Sequence, residues 1–235
     1  MGITKTVTGA LGALALLTAC GGGGFEEESA ETITSEAESA MLDLSSVRMS
    51  GDLTTDGEAL TLDVQISTGG DCTGTIGLGG GDAELEILSI SGETWMKPSE
   101  EFWQMFAGPQ ADQVVEAAGD RWVVLPASES ENFAELCDLD TFLEELTEGD
   151  DDEGTEPTVG ETEEVEGQEA VIVESETDEG DPVRAWVATE EPHYILKLEV
   201  TQGEEPGVIT FSDFDEELDL EAPSDDEVFD ISQLQ

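Results

Sequence analysis

The chain has 235 residues, of which 59 are Asp or Glu and only 6 are Lys or Arg, for a formal net charge of −53. That field excludes a nucleic-acid partner, whose phosphates need Lys and Arg to neutralise them, and it offers no attraction to anionic lipid headgroups. High charge with few apolar residues marks disorder, but 37% of this chain is hydrophobic and the apolar residues recur periodically, so the acid reads as the coat of a folded, halophilic-type protein.

The chain begins with "MGITKTVTGALGALALLTACGGGG" (1–24). Lys5 precedes an apolar run from Ala10 to Leu17, far short of the roughly 20 residues that span a bilayer, so the segment reads as a signal peptide. Leu17-Thr18-Ala19-Cys20 resembles the lipobox of bacterial lipoproteins. That resemblance implies removal of residues 1–19 and a diacylglyceryl group on the Cys20 sulfur. Such a lipid holds the protein to the extracytoplasmic face of the cell membrane, where the acidic body alone would not stay; two or more acyl chains anchor stably where one does not. Residues 20–31, four glycines followed by Phe25 and acids, are expected to form a flexible tether. Of three cysteines the anchor takes one; Cys72 and Cys137 remain in a compartment that permits disulfides, and are predicted to pair. No CxxC or His-rich spacing accompanies them as a metal site would require.

A helix is predicted over "TITSEAESAMLDLS" (32–45), with Ile33, Ala37, Ala40, Met41 and Leu44 near one face. In "ALTLDVQIS" Leu60, Leu62, Val64 and Ile66 alternate with polar residues, the pattern of an antiparallel strand wet on one side. "TTDGE" and "GGGD" read as hairpin turns, and "CTGTIGL", "AELEILSI" and "TWMK" continue the meander to residue 97. Three helices follow: "PSEEFWQMFAG", opened by Pro98-Ser99, then "QADQVVEAAG" and "DLDTFLEELTEG", each closed by glycine. Strands resume with "EAVIVES", "PVRAWVAT", "HYILKLEV" and "GVITFSDFD", then a short "LDLEAP". Residues 32–223 thus form one α+β domain, an antiparallel sheet with helices on one face, and the acidic tail 224–235 is expected to be loose.

Little catalytic chemistry is on offer. His193, the sole histidine, sits in "EEPHYIL" where a turn should precede a strand. There is no G-x-S-x-G elbow. The run "GDDDEGTEP" lacks the EF-hand order, because with Gly154 as the turn glycine the two end positions fall on Gly149 and Gly160. No enzyme activity, metal or cofactor is expected. The aromatic cluster Phe102, Trp103, Met105 and Phe106 has two readings: ordinary core packing, or a helix that lines or gates an apolar ligand cavity. Trp122 and Trp186 carry the same ambiguity.

From these strings the chain resembles actinobacterial lipoproteins of the LolA/LolB-like type, including the mycobacterial lipid- and lipoglycan-carrying lipoproteins. The features are the lipobox, "VRMSGDLTTDGEALTLDVQIS", "CTGTI", "ISGETWMKPSEEFW", "RWVVLP" and the closing "EPHYILKLEV…GVITFSDFDEELDLEAP" with its F-S-D-F-D phrase. The resemblance implies a half-open antiparallel β-barrel (LolA-like) with helices covering the concave face, a concavity that in characterised relatives holds acyl chains. It therefore implies a membrane-anchored protein that binds or shuttles a lipid or amphiphile ligand, or else an accessory lipoprotein of an envelope complex without a ligand cavity.

Overall fold

A computed structural model describes residues 24–55, 57–124, 137–147, 156–177, 180–203 and 205–231. The signal peptide, Cys20 and residues 148–155 of the acidic run lie outside the described residues.

Helix α1 (Ala30–Leu42) leads into a meander of β1 (Ser46–Thr55), β2 (Glu58–Ser67), β3 (Cys72–Leu78), β4 (Ala83–Ile90) and β5 (Glu93–Pro98). Helices α2 (Glu100–Phe106) and α3 (Ala111–Ala118) lead to a short β6 (Trp122–Val124), and α4 (Leu139–Thr147) follows. A second meander holds β7 (Thr158–Val165), β8 (Gln168–Glu176), β9 (Pro182–Ala188), β10 (Ile195–Val200) and β11 (Gly207–Ser212), and β12 (Val228–Asp230) is the last strand among the described residues. The molecule is α+β. All twelve strands join one open sheet in the order β12-β6-β5-β4-β3-β2-β1-β11-β10-β9-β8-β7, so the two meanders meet where β1 pairs with β11. Every pairing is antiparallel except β12 with β6.

Side-chain parity gives the sheet two faces. One register row runs Phe211, Met49, Val64, Gly74, Ile87, Met96 and Val123 across seven strands; the side bearing it is called the inner face here. Helix α1 lays Ala30, Ile33, Ala37 and Met41 on this face, which the i, i+3, i+7, i+11 spacing brings to one side. Ile33 and Met41 are 0% exposed, worth about 1.5–3 kcal/mol of burial each. Helix α4 adds Leu139 and Leu143 to the same cluster. Ser29 starts α1 by accepting a hydrogen bond from Thr32 N at 3.3 Å, and Asp138 does the same for Thr141 N at 3.1 Å at the start of α4. Gly74 has no side chain because there is no room for one: a Cβ would run into Asp63 O and Val64 Cα on β2.

Three expectations need correction. The tail is not loose as far as Asp230, because Phe229 is buried beside Val123, Trp103 and Ala118 and draws β12 alongside β6. "LDLEAP" forms no strand, and the sequence-based reading missed β7, whose residues 158–164 are all exposed. Phe25, placed in the tether above, is seated on the domain: residues Phe25–Glu27 form a 3₁₀ turn and the Phe25 ring packs against the main core.

Candidate functional site

The apolar layer packed between the inner face and its helices is the candidate site. Its cover is fastened at α4, where Cys137 is disulfide-bonded to Cys72 on β3 with Cα atoms 5.5 Å apart. The bridge ties the start of α4 to the sheet across 65 residues of sequence. Phe142 and Leu146 of α4 and Leu62, Ile76, Leu198 and Ile209 of the sheet are partly buried around the same cluster.

Helix α2 covers the other end. Ser99 caps it by accepting from Phe102 N at 3.2 Å, and the same oxygen accepts from Glu84 N at 3.0 Å, which fixes the helix start to β4. Adjacent helical residues point about 100° apart, so Phe102 and Trp103 part company. Phe102 packs on the inner-face residues Ala83, Leu85 and Met96, while Trp103 joins Val114 and Ala118 of α3 with Val123 and Phe229. Phe106 packs back on Phe102 with centroids 4.4 Å apart and planes tilted by 34°, yet it is 61% exposed, and Met105 is 52% exposed. Helix α3 closes at Gly119, whose φ of 60° suits glycine, and Arg121 Nε donates to Ala118 O at 2.9 Å.

The structure thus buries Phe102 and Trp103 in two separate clusters and leaves Met105 and Phe106 both largely exposed. Trp122 is half-buried on β6. Trp186 lies apart, on the outer face, buried with Ala170, Ile172, Ala188 and Leu196. Its indole N–H donates to Glu163 at 3.0 Å, and Lys197 Nζ and Arg184 Cζ sit 3.9 and 4.9 Å from its ring. Arg184 Nε is 3.4 Å from Glu174 Oε1 but makes no aligned hydrogen bond, so that contact is electrostatic only.

A separate open cavity of about 480 Å³ lies where the outer-face residues Thr75, Glu86 and Lys97 meet α2 and α3. Trp103 borders it, and Glu84, Glu86, Glu100 and Asp120 surround the single cation, Lys97. Among the described residues no group of three His, Cys, Asp or Glu is placed to hold a metal ion, and no helix is long and apolar enough to cross a membrane.

The F-S-D-F-D phrase does a structural job that its sequence alone did not disclose. Asp215 takes a φ of 58° and accepts three hydrogen bonds of 2.8 Å, from Ser45 N, Ser45 Oγ and Tyr194 Oη. Its own N–H donates to Ser46 O at 2.9 Å. The Ser45 N–H chiefly holds its carboxyl below the usual aspartate range, against the effect of burial and with the Ser45 and Tyr194 hydroxyls assisting. Burial, then the bond to Asp215, pushes the Tyr194 hydroxyl up to about 12. Phe214 stacks on Tyr194 at 4.3 Å and Phe211 fills the core. The phrase therefore clasps the end of β11 to the α1–β1 junction.

The topology and covered inner face can be compared with solved structures. LprF from Mycobacterium bovis superposes with a TM-score of 0.57 at 14% identity, over 83% of this chain and 97% of LprF. The Mycobacterium tuberculosis lipoprotein LppX superposes at 0.52 and 14% identity, over 81% of this chain and 99% of LppX. This chain has their fold. At that identity the likeness extends to the fold alone. No protein-family model matches the sequence, and no curated protein matches it.

Proposed function

We propose that this protein is a lipid-anchored extracytoplasmic lipoprotein that binds or shuttles an apolar or amphiphilic, lipid-like molecule at the cell envelope. The sheet and its helices serve as a half-open barrel, and the ligand lies between the inner face and α1, α2 and α4. The fold shared with LprF and LppX over more than four-fifths of the chain carries this reading, since ligand pockets are mostly apolar and aromatic. Cys20 is the anchor: Cys20→Ala should release the protein into the medium, and persistence at the membrane would refute the anchor. Gentle extraction of the native protein followed by mass spectrometry should find co-purified lipid. A fluorescent lipid-like probe should bind saturably, and Phe106→Asp, at an exposed position, should weaken that binding while the fold survives.

A second reading has its own observation. Buried side chains from α1, α4 and eight strands (β1–β4 and β8–β11) already pack together as one cluster, as in an accessory lipoprotein whose barrel is filled by its own core. Absence of both co-purified lipid and saturable probe binding would select that reading.

A further inference from the structure

The N-terminal segment meets the domain at one aromatic contact. Hydrogen bonds from Glu27 N to Gly24 O at 2.9 Å and from Glu28 N to Phe25 O at 3.1 Å fold residues 24–28 into a tight turn that presents Phe25. The Phe25 ring lies flat on His193, centroids 3.7 Å apart and planes 9° off parallel. His193 is held from the other side. Its backbone takes a φ of 64° and its N–H donates to Glu190 O at 3.0 Å, which turns the ring inward. Nδ1 lies 3.0 Å from Ala188 O and therefore carries a proton, because a carbonyl can only accept. Nε2 is 3.8 Å from Glu36 Oε2 of α1, and the side chain is 13% exposed. A turn residue fixed by two hydrogen bonds, through its backbone N–H and its Nδ1, with a face of its ring covered by one aromatic ring, is a built receptor for that ring.

We propose that Phe25 and His193 form a seat that docks the N-terminal segment on the domain and thereby sets the domain's distance from its membrane anchor. The seat stands on the contacts above; the word anchor rests on the reading of Cys20. With Phe25 seated, only residues 20–24 span from lipid to protein, at most about 17 Å of chain. With Phe25 released, the leash runs to Ser29 at the start of α1 and reaches about 35 Å. One aromatic contact thus halves the leash and keeps a strongly acidic body close to the bilayer.

The test uses the full chain in detergent. Because there is one histidine, the ring Cδ2–H and Cε1–H signals in an NMR spectrum belong to His193 without assignment. Phe25's ring current should shift them upfield, and Phe25→Leu should abolish the shift. A Glu-specific protease should cut at Glu26–Glu28 about tenfold faster in Phe25→Leu, in line with the strength of an aromatic pair. His193→Asn, which tolerates the left-handed backbone, should speed cutting equally. Identical His193 signals with and without Phe25, or unchanged cleavage, would overturn the seat whatever Cys20 does. Retention of Cys20→Ala at the membrane would instead overturn the anchor and leave the seat standing.

Discussion

Asp215→Asn isolates the clasp at the end of β11, because asparagine keeps the shape and accepts a φ of 58° while losing the charge. The carboxylate accepts three bonds of 2.8 Å that join segments 170 and 21 residues apart. Asp215 is exposed, so each charge-assisted bond is discounted to about 0.5 kcal/mol net. Asparagine Oδ1 still accepts from Ser45, so what is lost is the Tyr194 bond and the charge assistance of the other two, about 1 kcal/mol in all, or about 2–4 °C in Tm for a domain of this size. The sign with pH follows from the direction of the shift. The folded carboxyl is held below its ordinary range, so the unfolded chain takes up the proton first. The clasp's contribution is complete above the ordinary aspartate range and is lost as pH falls through the folded value. Tyr194 remains a donor across this window, since its hydroxyl is pushed up to about 12. Urea melts of wild type and Asp215→Asn in molar salt, at neutral pH and at steps into acid, should show a gap that closes with acidification. A gap under about 0.5 kcal/mol at neutral pH, the scatter of an ordinary surface substitution, would refute the reasoning, as would a gap independent of pH.

Replacing Cys72 and Cys137 together by Ala should cost about 4 kcal/mol in the chain-entropy account of a 65-residue link, read as the difference between urea melts of the two proteins. Ser99→Ala removes both the cap of α2 and the tie to Glu84 N and should lower stability by about 1–2 kcal/mol in the same assay. Gly74→Val should destabilise by more than about 2 kcal/mol, because the new side chain meets β2 backbone rather than a movable side chain; a thermal melt unchanged from wild type would contradict the close approach. With a net charge of −53, the thermal midpoint should rise from dilute buffer to molar salt as screening relieves self-repulsion. No rise would sink the halophilic reading.

What the sequence disclosed depended on how much of each element is buried. β2 was legible because Leu60, Leu62, Val64 and Ile66 alternate with polar residues, and β3 and β4 fall on the strings "CTGTIGL" and "AELEILSI" that continue the meander. The helices were legible from Ser99 and Gly119 at their ends. β7 was not, since an edge strand with residues 158–164 in solvent has no apolar period to read. β12 is three residues long and depends on Phe229 finding α2, α3 and β6, contacts far away in sequence. The candidate site was legible only in part. The sequence listed the aromatic residues but could not say which side of the sheet each one faces, and that parity sends Val187 toward α1 and its neighbour Trp186 to the opposite side. The seating of Phe25 on His193 left no signal beyond one aromatic among acids, because the partners are 168 positions apart (193 − 25).

At one end of the sheet β7 carries Glu161, Glu163 and Glu164 along an edge that pairs with no other described strand. An open sheet is a growing surface for further strands, and the proposed anchor would bring molecules together at high local density. In dilute solution mutual repulsion would keep them apart. In molar salt the Debye length falls to about 3 Å, and long-range repulsion no longer protects the edge. Protection then becomes local: to add a strand, a neighbour would have to strip water from those carboxylates and break Glu163 from the Trp186 indole. The acid on this strand therefore acts as a terminator of polymerisation under the very conditions in which the remainder of the acidic coat has lost its reach.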